Sequence, residues 1–237
     1  MSLGLQACFL LHHKPYQESS VLIDVLTQNS GKISLIAKGV RQQKAKHLGL
    51  LRPFLPLNIS YTGAGGLKLL NHAEAGNSEI ILPGINTYCG FYLNELIRYF
   101  LPVGEPYPDI FLAYFTCLQQ LKTKLPIEAA LRNFEVQLMQ ALGYELQLQY
   151  DCLSHELIKP DLNYRFDLEQ GASVDHQGKM RGATLIAMHQ GIYTDQRQLN
   201  EAKWLMRQVI DFHLQGKTLQ SRSLISKLQQ RPACKSN

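Results

Sequence analysis

The apolar residues of this chain change their period once, near Pro83, and that change constrains the fold more than any other feature. Before it, apolar residues alternate or run in short blocks bounded by turn residues, which is β spacing. After it they recur every three or four positions, which is helical spacing. Ala7 to His12, Ser20 to Thr27, Lys32 to Ala37, Phe54 to Tyr61 and Leu67 to Ala73 read as five strands. The turn Gln28-Asn29-Ser30-Gly31 joins the second to the third, and Thr62-Gly63-Ala64-Gly65-Gly66 is a hairpin signal between the last two. Pro53 and Pro56 place part of the fourth strand at an edge or an entry position. Five short strands in about eighty residues suit a small closed barrel of the OB type. An SH3-like barrel fits the same pattern, and spacing alone does not separate the two.

Beyond Pro83, Ile85, Cys89, Tyr92, Leu93, Leu96 and Phe100 share a helical face. Pro106 and Pro108 break the chain, and Asp109 is a cap for the next helix, with Phe111, Tyr114, Phe115, Leu118 and Leu121 inward. Pro126 opens a third helix striped by Ile127, Ala130, Leu131, Phe134, Leu138 and Leu142, with Gly143 as its C-terminal cap. Tyr150 to about Gly191 has no helical period and reads as irregular chain with short strands. The period returns at Asp195 and ends at Gly216, and Ser221 is expected to cap a last helix bearing Leu224, Ile225 and Leu228. The predicted architecture is α+β: a five-stranded OB-type barrel over 1–79, then an α-helical bundle domain over 80–237 with an irregular insert at 150–191.

Charge is unevenly spread. Residues 1–80 hold eight Lys or Arg against four acids, 81–202 nine against fourteen, and 203–237 seven against one. Two basic ends around an acidic middle suit a polyanion partner. The five cysteines are scattered, which argues against a disulfide framework and for a reducing compartment. No apolar run approaches the ~20 residues that span a bilayer. No basic residue precedes the apolar stretch Ala7 to Leu11, so a signal peptide is not expected, and the expected location is cytoplasmic.

The strongest local feature is LIAKGVRQQKAKHLGLLRPF, Leu35 to Phe54. Lys38, Arg41, Lys44, Lys46 and Arg52 appear there with no acid among them. A cationic loop on a barrel rim can track a nucleic-acid backbone, because each cation neutralises a phosphate and releases counterions. Tyr16, Tyr61 and Phe54 are candidates for base stacking, although aromatics of this kind equally fill barrel cores. Cys152 and His155 have C-x-x-H spacing, with His176 downstream, but a second ligand pair is missing, so no metal or other cofactor is expected. The phosphate-loop, nucleophile-elbow and H-E-x-x-H motifs are absent, so a catalytic role is not expected.

Several blocks, taken in order, carry a family resemblance. FLLHHKPYQESSVLIDVLTQNSGKISLIAKGVR, Phe9 to Arg41, resembles the opening of the RecO family. LLRPFLPLNISY, LKLLNHAEA, YCGFYLNELI, ALRNFEVQLMQALGY and QGKTLQSR continue the likeness over nearly the whole chain. The resemblance implies an OB barrel followed by a helical domain, in a non-enzymatic mediator of DNA repair and homologous recombination. Such a protein binds single- and double-stranded DNA, anneals complementary strands, engages the single-strand-binding protein SSB and, with RecR, loads RecA; RecF is a further partner. Some members carry a four-cysteine zinc module after the third helix, where this chain keeps only Cys152. RecO-like proteins bind the acidic tail of SSB, which needs a cation beside an apolar pocket, and Arg132 is the candidate, expected at the rim of its helix's apolar stripe. The competing functions are an OB-fold RNA-binding protein, a nuclease with carboxylates drawn from the acidic middle, and a pure protein adaptor.

Overall fold

The structure is a computed structural model and describes residues 4–40, 49–76, 79–123, 126–144 and 146–229. Five strands form a closed barrel: β1 (Gln6–Tyr16), β2 (Ser20–Thr27), β3 (Gly31–Ala37), β4 (Pro56–Thr62) and β5 (Leu67–Ala75). Their order is β1-β2-β3-β5-β4, with β4 returning antiparallel to β1 and β3 parallel to β5. That closure makes the barrel of the OB type, one of the two barrels that the strand spacing allows, and six helices follow among the described residues. In β3 the burial alternates residue by residue, so Ile33, Leu35 and Ala37 point inward. They meet Cys8, Leu10, Ile23, Val25, Leu57, Ile59, Tyr61, Leu70 and Ala73 in one apolar core.

The register of β1 against β2 shifts between Leu10 and His12, a β-bulge that leaves Leu11 unpaired in the ladder. Leu11 is nevertheless buried, so its carbonyl needs a partner. Asn94, on α1 (Ile85–Phe100), supplies one: its side-chain amide donates to the Leu11 oxygen at 3.0 Å. The Asn94 carbonyl oxygen accepts from the Tyr114 hydroxyl at 2.6 Å, from α2 (Pro108–Lys122). Both side chains are fully buried, and burial pushes the Tyr114 phenol well above its ordinary pKa. Phe9, beside the bulge, packs its ring against Phe111, Tyr114 and Phe115 of α2.

Two glycines mark close approaches on the barrel's flank. Gly31 has φ 64° in the β2–β3 turn, and a Cβ there would lie 1.7 Å from the Glu105 carbonyl oxygen. Gly90, on α1, lies against the ring of Phe54, which a Cβ would meet at 2.6 Å. A polar tie completes the junction: Arg98 pairs with Asp24 at 3.3 Å, and the Lys32 amine donates to the Arg98 carbonyl at 2.6 Å.

The chain divides into two compact units, residues 1–123 with 219–237, and residues 124–218. In the first, α6 (Gln220–Gln229) packs on α1. Ser221 was expected to cap this helix. Instead the Glu95 carboxylate does so from α1, accepting from the amides of Gln220 (2.8 Å) and Ser221 (3.0 Å) and from the Ser221 hydroxyl. A carboxylate carries more negative charge to a helix N-terminus than a serine hydroxyl does, and it outcompetes the local cap. Asp109 likewise lies inside the first turn of α2, after Pro108, and does not cap it.

The second unit holds α3 (Ile127–Ala141), a small sheet of β6 (Asn163–Asp167), β7 (Gly171–Val174) and β8 (Met180–Arg181), then α4 (Gly182–Gln190) and α5 (Gln196–His213). Asp195 caps α5, accepting from the Gln198 amide at 2.7 Å. Helix α4 falls where the sequence shows irregular chain. Its sequence GATLIAMHQ is apolar almost all round, so it has no stripe to betray a helical period. No helix among the described residues is long and apolar enough to cross a membrane.

Asn94→Ala should cost about 2–4 kcal/mol of stability, because it strands two buried groups at once. Tyr114→Phe, which strands only the Asn94 oxygen, should cost about 1–2 kcal/mol. Denaturant titration of the two variants checks the ranking; equal and negligible losses would contradict it.

Candidate nucleic-acid interface

The basic segment leaves the barrel at the end of β3 and returns at β4. Lys38 follows the last residue of β3 and is exposed. Gly39 then takes φ 69°, and Val40 turns back into the barrel core. On the return, Leu50 and Leu51 pack against the same core, and Leu55 enters it. Apolar residues thus pin both ends of the segment, while Lys38 and Arg52 stay outside. Arg41, Lys44 and Lys46 lie outside the described residues. Arg52 is exposed and pairs with Glu79 at 2.8 Å; with both side chains about half exposed, that pair holds the guanidinium only weakly.

The three aromatic candidates divide. Tyr61 is buried among the barrel's core residues and its hydroxyl donates to Ser30 Oγ at 2.9 Å. Phe54 is buried against α1, with its ring 5.2 Å from that of Phe91. Neither offers a free face to a base: Tyr61 points into the barrel core, and Phe54 packs against Gly90 and Phe91 of α1. Tyr16, at the end of β1, remains partly exposed. A cavity of about 270 Å³ opens at the opposite end of β3 from Lys38, lined by Ser30, Ile33, Tyr61, Thr62, Gly63, Lys68 and Gly104.

Arg132 does not stand at a solvent-facing rim. It is only 6% exposed and forms an ion pair with Glu135, itself 1% exposed, one turn along α3. Tyr193 lies in the field of both, and burial pushes its phenol above the ordinary value. Helix periodicity alone missed this, because α3 packs against both α4 and α5 and so buries more than one stripe.

In the insert, Cys152 is half-buried and its amide donates to the Ala172 carbonyl at 2.7 Å. Among the described residues, no three His, Cys, Asp or Glu side chains gather as a metal-binding group. The neighbouring Asp151, which sequence reasoning passed over, organises this turn. Its buried carboxylate accepts from the amides of Leu153 and Ser154, each at 2.8 Å, and of Val174 at 2.7 Å. Desolvation opposes the charge, but those hydrogen bonds outweigh it and hold the Asp151 carboxyl below its ordinary pKa. The stabilisation is therefore present above the ordinary carboxylate pKa and is lost as pH falls through the lowered one.

Comparison with known proteins matches both parts of the chain. Residues 1–78 match the family model described as Recombination protein O N terminal, and residues 84–223 the one described as Recombination protein O C terminal. The chain belongs to the RecO family. It is 39% identical over 222 residues to the DNA repair protein RecO of Methylococcus capsulatus, covering 93% of this chain and 92% of that one. It is 39% identical over 228 residues to that of Aliivibrio fischeri (94% and 96%), and 37% identical over 227 residues to that of Vibrio cholerae (94% of each). The boundary between the two RecO models falls between β5 and α1.

Two outcomes follow from these placements. Arg132→Ala should destabilise the second unit by about 3–5 kcal/mol, because it leaves a buried carboxylate uncompensated, while Arg132→Met with Glu135→Leu should restore most of the loss. Thermal unfolding of both variants decides this, and a mild effect of the single variant would refute the buried-pair account. Asp151→Ala should speed amide exchange over residues 151–174 without affecting the barrel strands, as read by hydrogen–deuterium exchange.

Proposed function

We propose that this protein is a mediator of DNA repair and homologous recombination that binds single- and double-stranded DNA and anneals complementary strands. The observation that carries the reading is an OB barrel whose β3–β4 connection holds five cations and no acid, pinned at both ends to the barrel core. An OB barrel offers a rigid platform, and cations on such a connection meet phosphates whatever the base sequence. Lys38, Arg41, Lys44, Lys46 and Arg52 are the proposed contacts. Membership of the RecO family, with relatives named as DNA repair proteins, supports the biological setting.

The proposed partners are RecR and SSB, with RecA as the protein loaded and RecF as a further participant. Nothing in this role requires bond chemistry, so no catalytic residue is assigned. Binding of an acidic SSB tail beside Arg132 would require its carboxylate to displace that of Glu135 from the guanidinium, so the buried pair gates that contact.

If about four of the five cations meet single-strand phosphates, log K should fall with log salt at a slope of about −3. Lys38→Glu with Arg41→Glu should weaken oligonucleotide binding at least about tenfold at ~0.1 M salt. The deciding experiment mixes purified protein with SSB-coated complementary strands and no nucleotide. Annealing, lost in the double variant, is the expected result. Absence of annealing together with unchanged binding by the variant would overturn the assignment. Tighter binding to RNA than to DNA of the same sequence would favour the RNA-binding alternative.

A further inference from the structure

Helix α5 has a second face that packing does not use. Gln198, Leu199, Ala202, Leu205, Met206, Val209 and Ile210 are buried. At about 100° per residue, Lys203, Arg207 and Trp204 fall together within an arc of about 100° on the opposite side. All three are exposed, and Trp204, the one tryptophan of the chain, keeps 39% of its surface in solvent. The Lys179 amine, from the turn before β8, sits 5.7 Å from the centre of the indole.

These cations are not neutralised locally. The neighbouring acid, Glu201, is already engaged by Arg181 (3.0 Å) and Arg197 (2.8 Å) and by the Thr184 hydroxyl. Among the described residues, no ion pair involves Lys179, Lys203 or Arg207. Asp211 lies on the same arc, one turn beyond Arg207, so the balance around the indole is three cations to one acid. Lys203 and Arg207 are like charges four positions apart, which disfavours an isolated helix. An exposed indole and unneutralised cations are both relieved by one kind of ligand, a polyanion with accessible flat rings. Single-stranded nucleic acid has that chemistry: phosphates for the cations, and an unpaired base for the indole. A duplex supplies the phosphates but keeps its bases stacked.

We propose that the Trp204 face of α5 is a second single-strand-binding site, with Lys179, Lys203 and Arg207 on phosphates and Trp204 stacked on a base. The assignment rests on the DNA-binding reading above and extends it. The basic barrel segment and α5 belong to different compact units, so one chain holds two separate stations for strands. Annealing needs two strands kept on one protein while each still exposes bases to the other.

Because Trp204 is the chain's one tryptophan, its emission reports on this face alone. The full chain is titrated at low salt with an oligothymidylate of about 20 nucleotides, while fluorescence anisotropy of a labelled copy reports total binding. Saturable loss of Trp204 emission is expected. It should survive Lys38→Glu with Arg41→Glu. In Lys203→Glu with Arg207→Glu the affinity read through the indole should drop about tenfold or more. These are exposed positions, and an unchanged circular dichroism spectrum confirms folding. Oligonucleotide binding seen by anisotropy with Trp204 emission unchanged overturns the second site but leaves the DNA-binding reading standing. Absence of binding by either readout removes both. Quenching that persists at full affinity in Lys203→Glu with Arg207→Glu, or that a blunt duplex reproduces, also overturns the proposal. So does quenching by an acidic, apolar-ended peptide but not by the oligonucleotide, which would make this face a protein-docking site.

Discussion

The buried side-chain amide of Asn94 ties the barrel to both of its first two helices at once. The bulge in β1 turns Leu11 out of the ladder and leaves its carbonyl buried, and Asn94 answers it while accepting the Tyr114 hydroxyl with its other end. An apolar residue at position 94 would fill the volume but satisfy neither group. The geometry is specific because a side-chain amide has one donor end and one acceptor end, and here each has its own partner. Helix α1 is thereby fixed in rotation against the barrel, which brings Gly90 to Phe54, Arg98 to Asp24 and Glu95 to the start of α6. Gly90, Asn94 and Arg98 are four residues apart and share one face of α1, with Glu95 about 100° round from Asn94, so a turn of the helix would break all of these contacts together.

That fixed helix in turn supports the basic segment between β3 and β4. Phe54, which closes the return to β4, is held by α1 through Gly90 and Phe91. Its φ of 65° is unfavourable for a residue with a side chain, and it persists because the ring is buried on arrival. The exit is pinned by Val40. The barrel therefore gives the proposed contact segment fixed ends, which lowers the entropy that positioning it would cost.

The period-two strands, their turns and the striped helices were legible because each depends on local spacing. Neither expected N-cap holds: Asp109 sits inside the first turn of α2, and Ser221 is displaced by a distant carboxylate. A cap from sequence assumes that the nearest polar side chain serves the helix, whereas Glu95 reaches α6 from 125 positions away. Helix α4 was illegible because its sequence is apolar almost all round, which erases the amphipathic signal. Of the expected site, the cationic segment could be read as a run of charge without acid. The burial of Arg132 could not, because it depends on α4 and α5 packing over α3, a long-range arrangement that no window of sequence contains.

Net charge alone does not locate a surface suited to a polyanion, and the pairing of each cation separates such surfaces better. Of the cations described, Arg98, Arg132, Arg181 and Arg197 are bound to acids of their own unit, and Lys32 donates to a backbone carbonyl. Burial lowers the Lys32 pKa, so its charge already costs desolvation and cannot be offered outward without losing the tie to α1. These residues contribute to the formal charge of +5 yet add little field at the surface, since each is offset within a few ångströms. The exposed cations without an ion pair among the described residues include Lys38 at the barrel and Lys179, Lys203 and Arg207 around Trp204. Their charge is uncompensated at short range, so it is the part of the total that a phosphate meets at contact, where salt screens least. In the acidic middle segment, three carboxylates are spent on inward work: Asp151 on backbone amides, Glu201 on two arginines, Glu135 on Arg132.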